Sequence, residues 1–176
     1  MRKGLLETKL GIPFRTPAEG HNIAFTSLWD NYPDSLQIPL QGKASRAYLL
    51  MAGSTNHMQC HIDNGVIRVY YEDGTCDTLS LVNPDNWPPI EQIFFEDGKS
   101  FNRHAPSLYR LRLKTGELSN NFGEELGFTG VSREVDGGAA VLLEMSLNAG
   151  KKLSHLVLET LSNEVVIGIM GITLQR

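Results

Sequence analysis

Side chains suited to sugar recognition are concentrated in turn-rich stretches of this chain. Flat aromatic rings pack against the apolar face of a sugar, while amides, carboxylates and guanidinium groups hydrogen-bond its hydroxyls. Both tryptophans of the chain lie in such polar stretches and not in apolar strands. We predict a ligand site in loops at one end of the fold, built from Trp29, Asp30, Asn31, Tyr32, Trp87 and Arg103. Because tryptophan is highly buried on average, the alternative is that both rings cover the ends of a core.

Carboxylates could support glycoside hydrolysis, which needs two carboxyl groups across one sugar-binding cleft. The candidates are Asp30, Asp34, Asp85, Glu91 and Asp97. Nothing in the sequence shows that any two of them converge, and acidic residues in such segments commonly cap turns. The motifs of zinc proteases, serine hydrolases, P-loop proteins and dinucleotide-binding enzymes are absent from the sequence. We therefore predict no catalytic residue.

Metal ligands are available in two kinds of segment. His57, Cys60 and His61 have the chemistry that zinc prefers, but on a strand the histidines would share one face while the cysteine points away. Calcium needs several loop oxygens. Two groups could supply them: Asp30, Asn31 and Asp34, or Asn83, Asp85 and Asn86. Asn/Asp–Pro clusters are ordinary turn formers, so we predict no metal site and no cofactor.

The composition is typical of one globular domain, and we place the whole chain, 1–176, in a single domain. Hydrophobic residues make up 41% and charged residues 20% of the chain, which argues against disorder. The formal net charge of −4 gives no phosphate-binding field, so we expect no nucleic-acid partner. No apolar run is long enough to span a bilayer. The N-terminus does not resemble a secretion signal, so we expect either a cytosolic protein or a piece of an exported one. We expect Cys60 and Cys76 to be separate thiols.

Short apolar segments separated by turn residues predict an all-β fold. Residues 47–52 form a continuous apolar run, which indicates a strand covered on both sides. Leu36, Ile38 and Leu40 alternate with polar residues and Pro39, which favours an edge or bulged strand. Further strands are predicted near 109–114, 140–147, 153–161 and 165–174. About eight to ten such strands without crossover helices favour an antiparallel β-sandwich, with a closed barrel as the alternative.

The hairpin over residues 66–82 has a predictable register. Glu72-Asp73-Gly74 is a strong turn signal. A two-residue loop would place Ile67 opposite Ser80, whereas a three-residue loop with Gly74 in the left-handed region places it opposite Leu79. The second arrangement gathers the apolar side chains of both strands on one face, so we predict the three-residue loop.

Recognisable motifs include Trp29-Asp30-Asn31-Tyr32-Pro33 and Glu72-Asp73-Gly74-Thr75, within the segments 11–14, 29–35, 38–44, 48–53, 69–75, 81–87, 90–92 and 156–174. These segments resemble galactose-binding-like jelly-roll modules attached to large bacterial glycoside-hydrolase-like proteins. The similarity spans most of the chain but is less clear over 108–138. It implies a jelly-roll fold, a carbohydrate context and an exported parent protein, hence a periplasmic or extracellular location. It transfers no catalytic residue.

Three functional hypotheses remain open. The first is a non-catalytic, carbohydrate-binding accessory module of a polysaccharide-processing protein. The second is a structural domain that buttresses a catalytic domain and binds no glycan. The third is a small glycoside hydrolase that uses loop carboxylates. Exposed tryptophans would favour the first hypothesis and buried ones the second.

Overall fold

The computed structural model describes residues 4–17, 19–93, 98–99, 101–127 and 133–176. The elements in this part of the chain are β1 (Leu5–Glu7), β2 (Pro13–Arg15), β3 (Ala24–Ser27), β4 (Ser35–Pro39), β5 (Arg46–Thr55), β6 (Asp63–Tyr71), β7 (Cys76–Val82), β8 (Tyr109–Arg112), β9 (Leu118–Ser119), α1 (Phe122–Glu125), β10 (Ala139–Ser146), β11 (Leu153–Thr160) and β12 (Val165–Gln175). The predicted all-β class is confirmed. The sequence underestimated the number of strands, because β1, β2 and β9 are only two or three residues long.

Antiparallel sheets make up the architecture, which is consistent with a β-sandwich. The largest of the three sheets has six strands in the order β3-β12-β5-β10-β8-β9, the second has four in the order β4-β11-β6-β7, and the third is the β1-β2 pair. The main core contains buried side chains from the two larger sheets, including Leu49, Ile67, Leu156 and Ile167. Among the strands described, β3 and β9 are the edges of the larger sheet and β4 and β7 those of the smaller, so these sheets are open and do not form the closed barrel kept as the alternative.

The strand β5 is covered on both faces, as its unbroken apolar sequence predicted. Leu49 and Met51 point into the core between the sheets. Leu50 and Ala52 point to the opposite face, where a second cluster is closed by Leu6 and Phe14 of the β1–β2 hairpin. Alternate residues of a strand face opposite sides, so a strand that is apolar at every position needs a cover on each side.

The predicted hairpin register is confirmed. Ile67 pairs with Leu79, and Gly74 has a φ of +83°. Tyr71 donates its N–H to the Thr75 carbonyl over 2.9 Å, which encloses residues 72–74 as the loop. The edge position expected for the strand with Pro39 is confirmed as well, because β4 pairs only with β11.

The strand β12 is irregular near Gly171 and closely packed at Gly168. Its register shifts between Ile169 and Gly171, which is a bulge or irregularity. A Cβ on Gly168 would lie 2.6 Å from the Ala52 carbonyl oxygen and 2.7 Å from the Phe25 ring, so the neighbouring chain segments approach closely there.

Two other sequence-based expectations can be compared with the structure. Cys60 and Cys76 are not joined by a disulfide, as predicted. In the ranges described above, no helix is long and apolar enough to cross a membrane.

Candidate functional site

The loop between β3 and β4 presents Trp29 at the surface. The Trp29 N–H donates to the Ser27 hydroxyl over 3.3 Å, and that hydroxyl donates to the Val165 carbonyl over 2.7 Å. The Tyr32 N–H then donates to the Trp29 carbonyl over 3.0 Å, which closes a tight turn. This short loop is anchored to β12, and the Trp29 side chain remains 51% exposed.

Trp29 forms one wall of a shallow, open hollow that we call the Trp29 hollow. Its lining residues come from three separate parts of the chain: Trp29, Ser54, Thr55, Asn56, His57 and Glu164. Thr55 is the buried floor and donates its hydroxyl to Asn64 Oδ1 over 2.5 Å. An exposed indole therefore stands beside hydroxyl, amide, imidazole and carboxylate groups.

The polar wall of the hollow is fixed by its own hydrogen bonds. Asn56 donates its side-chain amide to Glu164 Oε2, and its Oδ1 accepts the Met58 N–H over 2.8 Å. The His57 ring is hydrogen-bonded to the Gln92 side-chain amide. Ordered amide and carboxylate groups can select the orientation of a ligand hydroxyl without first being immobilised.

Glu164 adopts a backbone conformation that disfavours its own residue type. Its φ is +57°, in the left-handed region that glycine and asparagine occupy most readily. For other residues this region costs about 1–2 kcal/mol. Such strain often marks a residue whose side chain is needed where the backbone places it, and here the backbone places a carboxylate in the hollow.

Three more predicted site residues lie in or beside the same turn. Tyr32 is 38% exposed and packs edge-to-face with Phe25 at a centroid distance of 6.3 Å. Asp30 and Asn31 are exposed between the two aromatic residues. Trp29, Asp30, Asn31 and Tyr32 thus lie together in one exposed loop. The sequence analysis did not indicate Asn56 or Glu164.

Trp87 does not reach this surface. It is fully buried in the core between the sheets, as the alternative interpretation of the tryptophans expected. A Cβ on Gly53 would lie 2.8 Å from Trp87 Cζ2, so a glycine in β5 makes room for the indole. The Trp87 N–H donates to the Val82 carbonyl over 3.1 Å, and this bond fixes the backbone of the segment that carries Trp87.

Arg103 lies in a different place, a cleft of about 370 Å³ that we call the Arg110 cleft. Its lining includes Phe101, Arg103, Arg110, Ser119, Phe122 and Arg133. The structure thus separates Arg103 from the Trp29 hollow, since the two sets of lining residues have no member in common.

Arg110 is the buried cation of this cleft. Its guanidinium donates to the carbonyls of Gln92 at 2.8 Å, Pro89 at 2.7 Å and Ala139 at 2.8 Å. Burial lowers the pKa of Arg110 to about 10, although the Glu91 charge acts in the opposite direction. These contacts fasten segment 89–92 to β10.

The sequence did not predict the burial of Arg110. It is one of the polar residues that alternate with Tyr109 and Leu111, and such alternation does not indicate that a polar residue is buried.

The candidate carboxylates contact separate groups. Asp85 accepts the His104 backbone N–H over 2.6 Å, and Glu91 accepts the Ser54 hydroxyl over 3.4 Å. The carbonyl of Asp34 accepts the Thr160 N–H. Neither side-chain bond pairs one candidate carboxylate with another, and Asp97 lies outside the described residues.

Asn86, one of the residues considered above as a source of calcium ligands, makes local hydrogen bonds. Asn86 Oδ1 accepts the Val82 N–H over 2.7 Å, and the Asn86 amide donates to the Ser80 carbonyl over 2.8 Å. These bonds close the turn after β7, which is the ordinary role expected for Asn and Asp in such a segment.

Comparison of the chain with protein-family models, with curated proteins and with solved structures gives no significant match.

Proposed function

We propose that this chain is a non-catalytic accessory module of a polysaccharide-processing protein, and that it binds carbohydrate in the Trp29 hollow. The observation that carries the proposal is the 51% exposure of Trp29 beside the polar wall of Asn56 and Glu164. A solvent-facing indole supplies an apolar platform for one face of a sugar ring. The amide and the carboxylate supply a donor and acceptors for its hydroxyls.

The form of the hollow suits part of an extended chain better than an enclosed small molecule. It is shallow and open, and Asp30, Asn31 and Tyr32 extend the exposed surface along the adjoining turn. An open surface lets a polysaccharide continue past the contacted residues. We therefore propose a glycan chain as the ligand class, and a catalytic domain of the same parent protein as the partner.

The family resemblance supplies the rest of this proposal. A galactose-binding-like jelly roll would place loop residues at the ends of a β-sandwich, and the observed sheets are compatible with a sandwich. A periplasmic or extracellular parent protein would put such a module in contact with polysaccharide.

The buttressing hypothesis is supported by one observation, the burial of Trp87. A domain that only supports a catalytic partner needs no exposed ring, however, and Trp29 is exposed. The two hypotheses therefore differ in what they expect from Trp29, which makes this residue the one to change.

A glycan panel tested by affinity electrophoresis and calorimetry would decide between the hypotheses. We expect the intact chain to bind at least one polysaccharide, and Trp29→Ala to lose that binding while the melting temperature stays nearly unchanged. Glu164→Gln should weaken binding, since it removes the charge of the polar wall. Met58→Ala is the matched control, because Met58 is an 86% exposed apolar residue near the hollow that does not line it.

Three results would overturn the proposal. If Trp29→Ala binds as the intact chain does, the site is elsewhere. If no glycan in the panel binds, the buttressing hypothesis replaces it. Release of sugar product by the isolated chain, lost in Asp30→Asn or Glu91→Gln, would show the third hypothesis, a small hydrolase.

A further inference from the structure

We propose that His61, Asp85 and His104 bind a transition-metal ion, with Zn²⁺ as the best-suited species. The ligand atoms of these three side chains all lie within 4.8 Å of one another. The residues come from three separate segments: the turn after β5, the turn after β7, and the stretch that leads to β8. From the sequence we predicted no metal site, because His61 was considered only together with its neighbours His57 and Cys60.

The distance between the ligand atoms of Asp85 and His104 is close to that between two ligands of a metal centre. Zinc binds histidine nitrogen and carboxylate oxygen at about 2.0–2.1 Å in tetrahedral geometry, which places two ligand atoms about 3.3 Å apart. Asp85 Oδ2 and His104 Nδ1 are 3.6 Å apart. The His61 and His104 rings have a centroid distance of 4.6 Å and are tilted by 39°. The three ligand atoms lie within 4.8 Å of one another, so binding of one ion by all three requires side-chain rotation.

The backbone holds Asp85 and His104 toward each other. Asp85 Oδ1 accepts the His104 backbone N–H over 2.6 Å, which orients the carboxylate and leaves Oδ2 beside the imidazole. Hydrogen bonds to the other oxygen of a ligating carboxylate are a usual feature of metal sites. The Asn86 N–H donates to the Val82 carbonyl over 2.9 Å, so Asp85 projects from a closed turn.

His61 is placed by a strained backbone. Its φ is +57°, in the left-handed region that disfavours most side chains. The His61 N–H donates to the Asn83 carbonyl over 2.7 Å, and Cys60 forms a bridge with Asn83. These contacts tie the turn that carries His61 to the turn that carries Asp85. Strain of this kind often occurs where a side chain must be held for binding.

The donor set favours zinc over calcium or magnesium. Two imidazoles and one carboxylate are ligands that Zn²⁺ accepts readily, whereas calcium and magnesium require mainly oxygen ligands. Three protein ligands leave one tetrahedral position for water or another donor. His61 and His104 are exposed, so an ion can reach the site from solvent.

The neighbouring histidine and cysteine have other partners. The His57 ring is hydrogen-bonded to Gln92, and the Cys60 thiol donates to the His57 carbonyl over 3.0 Å. We therefore do not include His57, which the sequence analysis considered together with His61, in the proposed ligand set. His57 thus provides a control that lies four residues from a proposed ligand and has the same side chain.

Zinc titration of tag-free protein, followed by calorimetry, tests the site. We expect one Zn²⁺ per chain, with affinity reduced at least about tenfold in His104→Ala and Asp85→Asn. His61→Asn is the third variant, because asparagine tolerates the left-handed backbone and should preserve the turn. His57→Ala and His21→Ala should bind zinc as the intact chain does.

Thermal unfolding gives a second measurement that does not depend on the heat of binding. Zinc should raise the melting temperature of the intact chain and of His57→Ala, and should leave that of His104→Ala unchanged, since a ligand stabilises only a fold that binds it. Absence of zinc binding by the intact chain would overturn the proposal. So would unchanged binding in His104→Ala, or loss of binding in His57→Ala while the three proposed ligand variants still bind.

Discussion

The loops that carry Trp29 and Trp87 are similar in composition, but their tryptophan side chains differ in exposure. Each is rich in Asp, Asn and Pro, each follows a β-strand, and each contains one tryptophan. Trp29 is 51% exposed, whereas Trp87 is fully buried. Local composition therefore identifies a loop, but it does not determine which way a large side chain points from it.

The difference originates in residues distant in sequence. Trp87 fits into the core because Gly53 of β5 lacks a side chain, and because the Arg110 guanidinium holds the following segment by its carbonyls. The loop with Trp29 is held by a Ser27–Val165 hydrogen bond that fixes its backbone and leaves the indole outside. One tryptophan stabilises the fold, and the other is available to a ligand.

Truncation of the two tryptophans should give the largest contrast. Trp87→Ala removes a fully buried ring from the core, and we expect a loss of about 3–5 kcal/mol in the free energy of unfolding. Trp29→Ala should stay within about 0.5 kcal/mol of the intact chain, as is usual for surface changes. Urea unfolding followed by circular dichroism measures both values. Equal losses of unfolding free energy in the two variants would contradict the assignment of Trp87 to the core and Trp29 to the surface.

The residues that sequence reasoning could place are those governed by local periodicity. Alternation and turn chemistry predicted the β6–β7 register, the edge position of β4 and the covered β5, because each depends on neighbours a few positions away. Other features depend on contacts between segments that are distant in sequence. These are the packing of Trp87 beside Gly53, the burial of Arg110, and the proximity of His61 to His104. Sequence spacing contains no direct record of such contacts, so these features required the structure.

The hairpin at Gly74 is an intermediate case, because its local sequence does determine its conformation. A Cβ on Gly74 would meet no atom within 4 Å, yet its φ of +83° lies in the left-handed region. Gly74→Val should therefore cost more than about 1 kcal/mol, through backbone strain and not through a clash. Gly74→Asn, which tolerates that region, should cost less when both are measured by urea unfolding. A neutral Gly74→Val would contradict the bulged three-residue loop.

The smallest effect that we predict concerns Glu164, which belongs to the same hollow as Trp29. Its φ of +57° strains the backbone, and glycine would remove that strain while alanine would keep it. Both variants lose the carboxylate and its hydrogen bond to Asn56, so their difference isolates the backbone contribution. We expect Glu164→Gly to be more stable than Glu164→Ala by about 1 kcal/mol, and both to bind glycan more weakly than the intact chain.

If the alanine variant is as stable as the glycine variant, the left-handed backbone costs nothing, and strain ceases to be an argument for function at this position. If instead glycine stabilises the fold while binding is lost, the strained glutamate is retained because its carboxylate contacts the ligand. Trp87, by contrast, is buried in the core.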